Sequence, residues 1–144
     1  MKKIVAVTAI LFAMSNGTFA QENEANEHIN VPNAVKTALH QKYPQATHVG
    51  WEKENGNYEA NWGGKDHEAN SVQFTPAGKF IEIVKEIPVS QLPSNVVSYV
   101  KSHYHTKVTE AGKVTDAKGK TSYEAEVHGK DVIFDANGNF VRSE

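Results

Sequence analysis

Two nine-residue stretches, YEANWGGKD (residues 58–66) and YEAEVHGKD (residues 123–131), carry Tyr-Glu-Ala and Gly-Lys-Asp at the same spacing. A tyrosine beside a glutamate can be half of an acid/base pair, or it can be one turn of the alternation of a β-strand. The surroundings of the two stretches decide between these. Upstream, VPNAVKTALHQKY (31–43) aligns with LPSNVVSYVKSHY (92–104) at an offset of 61. Downstream, FTPAGKFI (74–81) aligns with FDANGNFV (134–141) at an offset of 60. Three matched blocks in one order make a tandem repeat, one unit over 31–87 and the other over 88–144. A repeated unit needs its strand twice; a catalytic pair has no such need.

Each unit reads as a helix followed by strands. Pro32 and Pro93 stand where a helix tolerates proline, in its first turn. Val31, Val35, Leu39 and Tyr43 then recur at helical spacing, as do Leu92, Val96, Val100 and Tyr104, and Pro44 ends the first run. The period then falls to two: Val49 and Trp51; Tyr58, Ala60 and Trp62; Val72 and Phe74; Ile81 and Ile83. In the second unit the strands are expected at 108–115, 122–127, 131–134 and 140–141. Turn residues separate them, at 55–57, 63–64, 76–78, 117–119, 129–130 and 137–138. Alternating strands expose one apolar face, and the two helices are what can cover it. The expected fold is α+β: two helix-plus-four-strand repeats forming an antiparallel sheet of about eight strands, with both helices on one face. Tyr58 and Tyr123 then point to the helices, and Glu59 and Glu124 point away, to water. Neighbours on opposite sides of a sheet cannot act on one substrate.

The N-terminal residues 1–20 have two lysines, an apolar stretch over 4–14 and the small-residue end Thr18-Phe19-Ala20, the order of a signal peptide cleaved after Ala20. The expected location is therefore periplasmic or secreted. Residues 21–30, QENEANEHIN, read as a flexible leader. Without Lys2 and Lys3 the chain holds 13 basic and 17 acidic residues, a formal charge of −4. That balance argues against nucleic acid or an anionic membrane as partner, and no stable membrane insertion is expected. There is no cysteine, which removes disulfides, thiol catalysis and thiolate-bound zinc.

The order of several short motifs resembles a known family. Val31-Pro32, Tyr43-Pro44, Trp51-Glu52-Lys53, Tyr58-Glu59-Ala60, Phe74 with Gly78, Ile87-Pro88 and Leu92-Pro93 together look like the PepSY-like, β-lactamase-inhibitor-like proteins. The resemblance spans residues 31–144 and implies an exported bacterial protein of two helix-plus-sheet repeats. The inhibitor for which the family is named grips its enzyme with a curved sheet face. No inhibitory residue can be matched here one by one, so that activity does not carry over.

Candidate chemistry is sparse. Asp135, Asn137 and Asn139 alternate like the start of a calcium loop, but an Asn-Gly hairpin turn accounts for the same letters. Seven histidines include one close pair, His103-x-His105, at a helix end where side chains two apart diverge. His67 lies between Asp66 and Glu68 with no second histidine near it in sequence. No nucleophile elbow and no phosphate-binding glycine loop occur. No catalytic residue, metal site or cofactor is expected. Trp51 and Trp62 alternate with the apolar set and belong to the core. The carboxylates of the outer sheet face, Glu52, Glu59, Glu124 and Glu126, are the candidate contact surface for a partner. The reading is a non-enzymatic exported module that binds or inhibits another exported protein through the open face of its sheet. A periplasmic carrier of a small ligand or metal is the alternative, and a hydrolase assembled only by the fold ranks third.

Overall fold

The computed structural model describes residues 29–143. Helix α1 (Asn33–Lys42) precedes strands β1 (Gly50–Glu54), β2 (Asn57–Trp62), β3 (Asn70–Phe74) and β4 (Phe80–Ile87). A short 3-10 turn (Val89–Gln91) leads into α2 (Ser94–Tyr104). Strands β5 (Ala111–Asp116), β6 (Thr121–Val127), β7 (Lys130–Asp135) and β8 (Phe140–Ser143) follow. The eight strands form one antiparallel sheet in sequence order, β1 and β8 at its edges. The expected architecture is the one observed. The two units meet at β4 and β5, which pair from Glu82 opposite Asp116 to Ile87 opposite Ala111. The proposed signal segment and residues 21–28 of the leader lie outside the described residues. Ile29, assigned to the leader from sequence, packs against the first core.

Both helices begin at proline. The carbonyl of Pro32 accepts from Val35 N–H (3.0 Å) and Lys36 N–H (3.2 Å), and that of Pro93 from Val96 N–H (2.9 Å). Basic residues occupy each last turn, His40 and Lys42 in α1 and Lys101 and His103 in α2, the favourable end of the helix dipole for positive charge. Each helix covers its own strands, so there are two cores. The first joins Val31, Val35 and Leu39 to Tyr58, Ala60, Trp62, Val72, Phe74 and Ile83. The second joins Leu92, Val96, Val100 and Val108 to Ala111, Ala125, Val127, Val132 and Phe134. Trp51 and Tyr123 pack at the margins of these clusters, on the helix side as expected. Tyr43 lies against Trp62 (ring centroids 5.4 Å apart), and burial pushes its phenol above the ordinary tyrosine value.

The duplication extends to the turns, in three copies rather than two. In Thr75-Pro76-Ala77-Gly78-Lys79, Asp116-Ala117-Lys118-Gly119-Lys120 and Asp135-Ala136-Asn137-Gly138-Asn139, the first N–H bonds the fifth carbonyl, at 2.9, 3.1 and 2.9 Å. The glycine N–H returns to the first carbonyl in all three, and every first side chain accepts from the fifth N–H. This is a turn with one left-handed residue and a bulge, which suits glycine. Two of these turns also receive a helix. A Cβ on Gly78 (φ +80°) would lie 2.6 Å from the carbonyl oxygen of Ala34. One on Gly138 (φ +79°) would collide with the side chain of Asn95, which donates to the carbonyls of Asn137 and Gly138. Gly119 has the same backbone and open space around it. Gly119→Ala should therefore cost about 1–2 kcal/mol, the left-handed penalty alone. Gly78→Ala should cost at least about 1 kcal/mol more, because the α1 backbone must also withdraw, and Gly138→Ala should fall between the two, because the Asn95 side chain can swing aside at the loss of its two hydrogen bonds. Urea denaturation of the three variants measures the difference.

Candidate functional site

The face away from the helices holds the sequence-predicted contact residues. Register places Glu52 opposite Glu59, Glu59 opposite Gln73, Gln73 opposite Glu82, and Glu82 opposite Asp116, a polar row crossing five strands. A second row runs Gly112, Glu124, Ile133, Arg142, and Glu126 stands opposite Asp131.

This face is not the solvated plane expected from alternation. Glu59 is 1% exposed and Glu124 6%, although both point away from the helices. The apolar side chains of Val84, Val114 and Ile133, on the same face, are buried too. Among the described residues the two helix-centred cores lie on the other side, so the sheet is closing over its own face. A cavity of about 650 Å³ confirms it. Its walls include Lys53, Glu54 and Asn55 from the β1–β2 hairpin, and Val141 and Arg142 from β8. Strands sit ~4.8 Å apart, so seven spacings would separate the edges of a flat sheet by roughly 33 Å. Edges that border one cavity require a curled sheet. The placement of Glu59 and Glu124 in water is therefore corrected: both are buried on this face, and Glu124 lines the trough. Glu52 is exposed and Glu126 half-buried at its flanks.

Burying Glu59 costs free energy unless donors replace its water. Ser71 supplies a hydroxyl hydrogen bond to Glu59 Oε1. Gln73 Nε2 lies 3.4 Å from Glu59 Oε2 and donates at 2.7 Å to Glu54 Oε2. The amide thus stands between two carboxylates that would otherwise repel. The second unit differs here. The positions equivalent to Ser71 and Gln73 are Asp131 and Ile133, so Glu124 faces an aliphatic neighbour, with Arg142 one strand further. The trough is consequently graded. Near β1–β5 the carboxylates of Glu54, Glu82 and Asp116 outnumber Lys53, while on the β6–β8 side Lys120, Lys130 and Arg142 are balanced by Glu124, Asp131 and Asp135.

Asp135 closes the far wall and is part of its turn. Its Oδ1 accepts from Asn137 N–H and Asn139 N–H, both at 2.9 Å, and its Oδ2 from Asn139 Nδ2 at 3.0 Å. The Asn139 side chain and main chain, with smaller help from Asn137 and Lys120, hold this carboxyl below the usual aspartate range. The calcium-like letters are thus a hairpin, as the Asn-Gly reading has it. His103 is likewise occupied. It stacks on Tyr99 (3.8 Å, 15°) and its Nδ1 lies 3.0 Å from the Tyr99 carbonyl. His105 ends α2 in the left-handed region. Among the described residues no group of three or more histidine or carboxylate side chains is placed to hold a metal ion, and no helix is long and apolar enough to cross a membrane.

The burial of Val84, Val114 and Ile133 on this face was missed from sequence. A signal for two of them was present: Ile83-Val84 and Val132-Ile133-Phe134 break the alternation, and consecutive apolar residues in a strand mean burial on both faces.

The chain belongs to the family described as "Putative beta-lactamase-inhibitor-like, PepSY-like", whose model matches residues 16–65 and 62–142. No curated protein matches the sequence. Among solved structures, one described as "putative periplasmic proteins" from Bacteroides eggerthii superposes with a TM-score of 0.62 at 17% identity. That match covers 79% of this chain and 88% of the other. A DUF2874 family protein from Bacteroides uniformis gives 0.61 at 19% identity, covering 78% and 88%. A BLIP-like protein from Bacteroides fragilis gives 0.55 at 21% identity, covering 82% and 88%. At these identities the likeness establishes the fold.

The buried carboxylate of Glu59 makes a direct prediction. Glu59→Lys should cost at least about 3 kcal/mol, since it buries a cation among groups arranged for an anion. Glu52→Lys, its exposed cross-strand neighbour, should stay within about 0.5 kcal/mol of the parent. Chemical denaturation of both variants distinguishes a closed trough from an open polar face.

Proposed function

We propose that the chain is an exported, non-enzymatic binding module that takes a basic, projecting segment of another exported protein into the trough of its sheet. One observation carries this reading: the helix-free face is a 650 Å³ concavity walled by both repeats. A cavity of that volume is ligand-sized. Its lining is charged and polar, with Val114, Ile133 and Val141 as apolar contacts, a composition nearer to a protein interface than to a small-molecule pocket. The carboxylate-rich β1–β5 side suits lysine or arginine side chains, and the mixed-charge β6–β8 wall, where Lys120, Lys130 and Arg142 stand among carboxylates, sets the orientation of the incoming segment. Export is supported by the signal-like residues 1–20 and by the description of the Bacteroides eggerthii relative.

The test is photocrosslinking in the periplasm of an expressing cell. A photoreactive residue at Gln73 or Ser122, in the trough, should form a discrete adduct with one protein. Glu82→Lys combined with Glu126→Lys should reduce that adduct several-fold. The same probe at Lys36, on the outer surface of α1, should give none. Adducts at Lys36 but not at the trough positions would contradict the proposal.

A further inference from the structure

The repeat breaks its own symmetry most clearly between β2 and β3. In the second unit β6 and β7 are joined by His128 and Gly129 alone, whereas residues 63–69 join β2 to β3. This longer loop is folded tightly. Ala69 N–H bonds the Gly63 carbonyl at 3.1 Å. A Cβ on Gly64 would lie 2.7 Å from that of Ala69, and Gly63, Gly64 and His67 all take positive φ. Loops held on a rigid scaffold are where binding residues concentrate.

Register determines what this loop meets. Gly50 opens β1 opposite Asn61 near the end of β2, so the residues just before β1 run alongside the start of the loop. His48 and His67, nineteen positions apart in sequence, are thereby brought next to each other, with ring centroids 6.4 Å apart and planes tilted by 45°. Both are exposed, and His67 sits between Asp66 and Glu68.

We propose that His48 and His67 form a two-imidazole site for a borderline divalent transition-metal ion, Zn(II) or Cu(II). Imidazole nitrogen binds such ions at about 2.0–2.1 Å, which puts each ring centre about 3 Å from the metal and spans about 6 Å across two opposed rings. The observed separation meets that span. A tetrahedral angle requires the rings to close by roughly 1 Å, within reach of exposed side-chain rotamers. Two protein ligands leave the remaining positions to water, so the ion is exchangeable rather than structural. Binding exchanges two bound waters for two imidazole lone pairs and involves no redox step. The site lies at the β1 edge, outside the residues that line the trough, and does not depend on the proposed protein partner.

The experiment is a Zn(II) titration of the exported, tag-free chain, followed by NMR of the imidazole resonances and by calorimetry. One ion per chain is expected, with the His48 and His67 signals moving together ahead of the other histidines. His48→Gln and His67→Gln should each weaken binding roughly tenfold or more, while His103→Gln leaves it unchanged. Both variants alter exposed side chains, and an unchanged Tm would show that they fold. If all imidazoles shift in parallel, or His67→Gln keeps the parent affinity, zinc binding is adventitious and the proposal fails.

Discussion

An eight-stranded sheet with helices on only one side must dispose of a second face, and this chain does so by curling that face around itself. The seam between β4 and β5 makes the curl consequential. Without that pairing each unit would be a small four-stranded sheet under one helix. With it, the helix-free sides of both units contribute to one concavity, whose lining includes Glu124, Val114 and Ile133, while Glu59 and Val84 are buried on the same face. Hydrogen bonds from Ser71 and Gln73 compensate the burial of Glu59. Polar and charged groups of the helix-free face are thereby gathered around one concavity.

Duplication supplies the frame and divergence supplies the features. The helix-starting prolines, the edge-to-face pairs Phe74–Phe80 and Phe134–Phe140, and the bulges after Gln73 and Ile133 all recur. What does not recur is chemical. Ser71 and Gln73 give way to Asp131 and Ile133, and the loop carrying His67 has no counterpart. A scaffold written twice is bound by packing at its shared positions, which leaves the unshared ones free to be specific.

Much of this was legible in the sequence. Proline placement, the change of period from 3.6 to 2 and the matched blocks identify helices, strands and their order, and they place Trp51, Trp62 and the two repeated tyrosines on the helix side. Strand ends were less clear: β5 starts at Ala111 rather than Val108, because Thr109 and Glu110 bond Glu126 only irregularly before the ladder begins. The candidate carboxylates were put on the correct face but in the wrong environment. Alternation reports which side of a strand a residue takes; it carries no information on curvature, and curvature decides whether that side is wet. The meeting of His48 with His67 was equally hidden, since it depends on the β1–β2 register.

Curling is the claim on which the trough, its buried carboxylates and the proposed binding mode all stand, and a distance across the sheet measures it. The chain has no cysteine of its own, so spin labels at Asn55→Cys and Val141→Cys report on the two edges alone. Double electron–electron resonance should give a narrow distribution well short of the roughly 33 Å that seven flat strand spacings impose. A distribution centred at or beyond that value would mean an open sheet, and the account would be wrong.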